Sequence, residues 1–111
     1  MNVYDTANKL AKEIKESQEY LDYKSIKDDI NDNPDLKEKI QEFEKIRYDI
    51  QVLSLSGEQK DQEKLNQMQE LYVELIKNDK IKRYFDAELK FNVLLGDINK
   101  IIGEAIREVI F

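Results

Sequence analysis

The sequence contains neither cysteine nor histidine. No disulfide, thiolate nucleophile, zinc-thiolate site or cysteine-ligated iron–sulfur cluster can be built from such a chain. Di-metal helical bundles of the common type need Glu-x-x-His pairs and are excluded with histidine. The four serines and one threonine lack an imidazole base, and none of the serines opens a Ser-x-x-Lys motif. Gly57, Gly96 and Gly103 are the only glycines, and none precedes Lys-Ser or Lys-Thr, so no phosphate-cradling loop exists. No uninterrupted apolar run approaches the ~20 residues that span a bilayer. Met1-Asn2-Val3-Tyr4-Asp5 has neither the basic nor the apolar part of a leader. The expectation is a cytoplasmic protein that is not an enzyme, with no cofactor, no metal and no membrane partner.

Turn formers are scarce, with three glycines and one proline, Pro34, among 111 residues. What is present is 41% hydrophobic and 38% charged, the balance of long amphipathic helices rather than of sheet or disorder. The length fits one domain, which buries roughly 65% of its unfolded surface. A net charge of −6 repels the phosphate backbone that dominates nucleic-acid affinity.

The periodicity predicts an all-α fold of about five helices, an antiparallel helical bundle with a long C-terminal helix, over residues 4–16, 18–31, 34–55, 61–77 and 80–109. Asp5 or Thr6 can cap the first helix, where Ala7, Leu10, Ala11 and Ile14 recur at three- and four-residue steps. Ser17 offers a new cap for a second helix carrying Tyr20, Tyr23, Ile26 and Ile30, with Leu21 at its edge. Asn31-Asp32-Asn33-Pro34 should stop that helix and start the next, with Asn33 as cap and Pro34 at the first position. The third helix places Leu36, Ile40, Phe43, Ile46, Ile50 and Leu53 on one stripe and ends at Ser56-Gly57. After a polar loop from Glu58 to about Asp61, the fourth sets Leu65, Met68, Leu71, Tyr72, Leu75 and Ile76 on its buried face. Asn78-Asp79 then interrupts the chain before the last helix. The whole reads as a single helical domain with a projecting arm.

That last helix is longer than one small bundle needs. Phe91, Leu94, Leu95, Ile98, Ile101, Ile102, Ala105, Ile106 and Val109 fill an arc roughly 180° wide, where one core contact takes a stripe of about 100° or somewhat more. Part of this surface is therefore expected to meet another chain, most simply a second copy in a homodimer. Gly96 and Gly103, seven residues apart, share a helix face on which missing side chains would let another helix come close, at about 1 kcal/mol each in propensity. A membrane is the poorer occupant, because Asp97, Glu104 and Glu108 replace the Lys/Arg-rich polar face that interfacial helices favour.

Two other constellations invite chemistry. Asp29, Asn31 and Asn33 match the first three ligand positions of an EF-hand loop, but Pro34 stands where the sharp turn needs glycine and Ile40 where it needs a bidentate glutamate. The stretch reads as a turn and cap. Carboxylates elsewhere are interleaved with lysines, as in Lys12-Glu13 and Lys37-Glu38-Lys39, which is a solvated, salt-laced helix face. Lys77, Lys80, Lys82 and Arg83, followed by Tyr84 and Phe85, form a basic patch that could serve a nucleic-acid-associated factor. Tyr84 and Phe85 fall at the spacing of Ile81 and Leu89, however, and are expected in the core rather than free to stack on bases.

Across nearly its whole length the chain resembles the YlbF/YmcA family of small helical proteins from Gram-positive bacteria, particularly its short YheA-like members. The resemblance rests on Val3-Tyr4-Asp5-x-Ala7 with Leu10, Ser17-x-Glu19-Tyr20, Phe43, and Asn78 through Tyr84, Glu88 and Leu94-Leu95 to Ile101-Ile102. These are packing and capping positions, so it speaks for the fold and not for chemistry. It implies a helical subunit that pairs with itself or with relatives, in complexes that modulate RNA processing and programmes such as competence. Complex-forming members carry a cysteine-bearing tail that helps hold iron–sulfur clusters; these 111 residues contain no cysteine, so that role is not expected of them.

Overall fold

Asn2, rather than Asp5 or Thr6, starts the first helix. In the computed structural model, which describes residues 2–57 and 62–110, Asn2 is extended and its side-chain oxygen accepts the Tyr4 N–H at 2.8 Å. Asparagine is among the best caps, and its position draws Asp5 and Thr6 into the first turn of α1 (Val3–Glu16). Ser17 is again extended and works in both directions. Its hydroxyl donates to the Ile14 carbonyl at 2.6 Å and accepts the Tyr20 N–H at 3.2 Å, closing α1 and opening α2 (Gln18–Asn31).

Asn33 caps α3 (Pro34–Leu55) by accepting the Leu36 N–H at 3.3 Å, and Pro34 occupies the first turn, where its missing N–H has no intrahelical partner to lose. Gly57 ends that helix at φ 75°, the left-handed conformation that a side chain disfavours. The expected loop from Glu58 to Asp61 lies outside the described residues. α4 spans Gln62–Leu75 and α5 spans Asp79–Ile110. Between them Asn78 accepts two amide protons, from Lys80 at 2.9 Å and Ile81 at 3.2 Å, so the break is a true cap and not a kink. At 1.5 Å per residue α5 is about 48 Å long. Among the described residues there are five helices and no strand.

Contacts gather the helices into two sets, Met1–Ile26 with Tyr84–Phe111 and Lys27–Arg83. In the second set α3 packs against α4. Ile30, Leu36, Ile40, Phe43, Leu75 and Ile81 are buried there, Ile81 at 1% exposure. Lys64 and Asp49 pair across the two helices at 3.8 Å, but both are too exposed for the pair to contribute much. Tyr72, expected on the buried face, is 40% exposed. Its ring sits 6.0 Å from that of Phe43, an amphipathic side chain lying along the rim of the core instead of entering it.

The first set is held by aromatic rings. Tyr20 meets Phe91 edge-on at 5.9 Å, and Tyr23 lies 5.7 Å from both Phe91 and Tyr84. Ile26, Tyr84 and Phe85 are buried in it, the last two as expected from sequence. Leu89 is 64% exposed and is not core. Eight residues turn a helix by about 80° beyond two full turns, which carries Leu89 away from the buried line of Ile81.

Candidate interaction surface

The apolar stripe of α5 changes character along its length. Phe91, Leu94, Leu95 and Ile98 are half-buried, Phe91 beneath Tyr20 and Tyr23. From Ile101 onward the same stripe continues uncovered. Ile101 is 67% exposed, Ile102 48%, Ile106 45% and Val109 90%, and Ala105 is exposed beside them. Ile110, absent from the expected surface, extends it at 62%. Every described residue from 101 to 110 is exposed. A helix with one face this apolar is ordinarily held by packing rather than by propensity.

Gly96 and Gly103 border this stripe on one side. A Cβ at either position would meet nothing within 4 Å, so among the described residues no helix makes use of the space they leave. On the opposite border Asp97, Glu104 and Glu108 recur at seven- and four-residue steps.

Sequence periodicity missed a second uncovered surface. α1 is strongly amphipathic yet buries no residue. Leu10 and Ile14 are half-buried, Ala7 and Ala11 are exposed, and Val3 and Tyr4 remain 80% and 79% exposed. The signal was present in the regular spacing of these residues. What sequence could not say is that little lies opposite them.

The other candidates resolve into structure. Asn33, the third residue of the EF-hand-like stretch, spends its side-chain oxygen on the α3 cap. Among the described residues no three carboxylates come together in a way that could hold a metal ion. Lys77, Lys80, Lys82 and Arg83 are exposed, and Lys77 pairs with Glu74 at 3.0 Å. The rings that would have to stack on bases, Tyr84 and Phe85, are 6% and 8% exposed. A shallow apolar recess of about 450 Å³ between α3 and α4 is lined by Phe43, Met68, Gln69, Tyr72 and Val73. No described helix is long and apolar enough to cross a membrane.

Residues 3–107 match the family model described as "Control of competence regulator ComK, YlbF/YmcA". The chain belongs to the YlbF/YmcA family. Similar relatives of this family member include a UPF0342 protein of Symbiobacterium thermophilum, 36% identical over 104 residues that cover 94% of this chain and 93% of that one. A UPF0342 protein of Halothermothrix orenii is 39% identical over 105 residues, covering 92% and 86%. Among solved structures, a protein of unknown function (DUF964) from Bacillus stearothermophilus superposes with a TM-score of 0.83 at 15% identity, over 96% of this chain and 94% of its own. The structure of yheA from Bacillus subtilis superposes with a TM-score of 0.70 at 24% identity, over 98% and 99%. At these identities the two structures speak for the fold alone. The all-helical YlbF/YmcA architecture with its long final helix is thereby established.

Proposed function

We propose that this YlbF/YmcA protein is a noncatalytic interaction module that pairs with a second copy of itself through the outer part of α5, and that the pair serves as an adaptor or regulator of another assembly. The observation that carries the reading is the uncovered stripe from Ile101 to Ile110, continuous with the half-buried line of Phe91, Leu94, Leu95 and Ile98. Contiguous apolar surface of this kind marks interaction sites in soluble chains. Gly96 and Gly103, with open space above them, let the second copy's helix approach. The family's description as a control element of a competence regulator supports the regulatory half, and the lack of cysteine and histidine supports a role without chemistry.

The test is the double substitution Ile102→Asp with Ile106→Asp. Both residues are about half exposed, so the fold should survive, while each unpaired charge in a dry interface is unfavourable by about 3–5 kcal/mol. Wild type should sediment as a dimer and the variant as a monomer of unchanged helicity. A wild-type chain that stays monomeric at high concentration would remove the basis of the reading.

A further inference from the structure

We propose that Ser17 is a hinge, and that α1 and α2 exchange between the bent form described above and one continuous helix over residues 3–31, in which the apolar face of α1 is turned away from that of α2. The hinge does not depend on self-pairing.

The two forms differ by one angle at one residue. Ser17 lies between two helices of 14 residues each, at φ −68° and ψ 150°. An α-helix has φ near about −63° and ψ near about −42°, so φ at Ser17 is already helical and ψ alone separates bent from straight. No glycine or proline occurs between Val3 and Asn31, and nothing in the local sequence forbids a continuous helix.

The backbone is satisfied either way. In the bent form the Ser17 amide donates to the Ile14 carbonyl at 3.1 Å, while the hydroxyl donates to the same carbonyl and accepts the Tyr20 N–H. Straightening gives up these bonds. In return, the first amides of α2, which lack intrahelical partners at a helix start, gain carbonyls four residues back. One set of bonds is exchanged for another of similar size, so hydrogen bonding alone does not fix the form.

Little else holds α1 in place. It buries no residue, and Leu10 and Ile14 are only half-buried. Among the described residues no side-chain hydrogen bond or ion pair joins α1 to another helix. α2 is tied down by contrast, with Ile26 buried, the Tyr23 hydroxyl on Glu88 and the Tyr20 ring on Phe91. Where a tied helix meets an untied one through a single extended residue, the movement falls to the untied one.

The consequence lies in the phase of the two stripes. On one continuous helix, at about 100° per residue, Ala7, Leu10, Ala11 and Ile14 would lie about 170° from Tyr20, Tyr23 and Ile26. The bend is what allows Leu10 and Ile14 to be half-buried in the same set of helices as Tyr20 and Tyr23. Straightening swings the α1 stripe to the opposite side, so Ser17 decides which way that face looks.

The chain has no cysteine, so spin labels can be placed at the exposed positions Asn8→Cys and Ser25→Cys. The labelled chain is diluted into an excess of unlabelled chain, so that pulsed electron paramagnetic resonance reads intrachain pairs only. The two Cα atoms are about 26 Å apart on a continuous helix and closer when the chain bends. With serine at position 17 two populations should appear, the shorter predominating. Ser17→Ala removes both hydroxyl bonds and adds the best helix former, and should raise the longer population several-fold. Ser17→Asp still caps α2 and should keep the shorter one. A single short distance in all three chains would overturn the hinge. A broad distribution in Ser17→Ala with helicity lost by circular dichroism would overturn it too, because α1 would then unravel rather than swing.

Discussion

Tyr23 and Glu88, separated by 65 positions in the chain, are joined by a hydrogen bond in which the phenol donates to the carboxylate at 3.3 Å. The same ring is 5.7 Å from Phe91 and from Tyr84. One side chain thus ties α2 to α5 with its polar tip and its apolar body together.

Tyr23→Phe keeps the ring and removes the donor, so it should cost about 1 kcal/mol in urea denaturation. Tyr23→Ala removes the ring contacts too and should cost about 2–4 kcal/mol. Equal costs for the two would mean that the rings contribute nothing.

Ile81, at 1% exposure, and Leu89, at 64%, lie on one helix and answer oppositely. Ile81→Ala should destabilise by about 2–5 kcal/mol, and Leu89→Ala should stay within about 0.5 kcal/mol. A thermal melt of each variant checks the pair, and a large loss at Leu89 would contradict its exposure.

Asn78 holds two amide protons and Asn33 one. Alanine at either should cost about 0.5–2 kcal/mol, whereas serine or aspartate should restore most of the loss. Failure of Asp to rescue Asn78→Ala would show that the side chain does something other than cap.

Gly103→Ala separates intrinsic helicity from assembly. With nothing within 4 Å of the added Cβ, the isolated helix should gain up to about 1 kcal/mol. Self-association should weaken, because the added methyl holds off the second copy's helix. Sedimentation and circular dichroism on the same sample read the two effects, and association that tightens would dismiss the role given to this glycine.

The helices were legible in the residues because caps and periodicity are local. Ser17, Asn33, Ser56-Gly57 and Asn78 each satisfy or release backbone groups within four positions, and the α3 stripe of Leu36, Ile40 and Phe43 is buried as its spacing predicts. The exception at the start of α1 is also local, since Asn2 competes with Asp5 and Thr6 for the same few amides and the earlier residue wins an extra turn.

Which apolar face is covered is a different kind of fact. Leu10 and Ile101 have equal claims to burial by spacing, yet one is half-buried and the other 67% exposed, and Tyr84 is buried while Tyr72 lies on a rim. Periodicity tells that a helix has an apolar side; only the packing of distant segments tells how far along that side a neighbour extends. The amino-acid order by itself determined five helices without thiol or imidazole chemistry. The tertiary structure decided that the neighbours of α5 stop near Ile98, because burial depends on what stands opposite a side chain and not on the side chain alone.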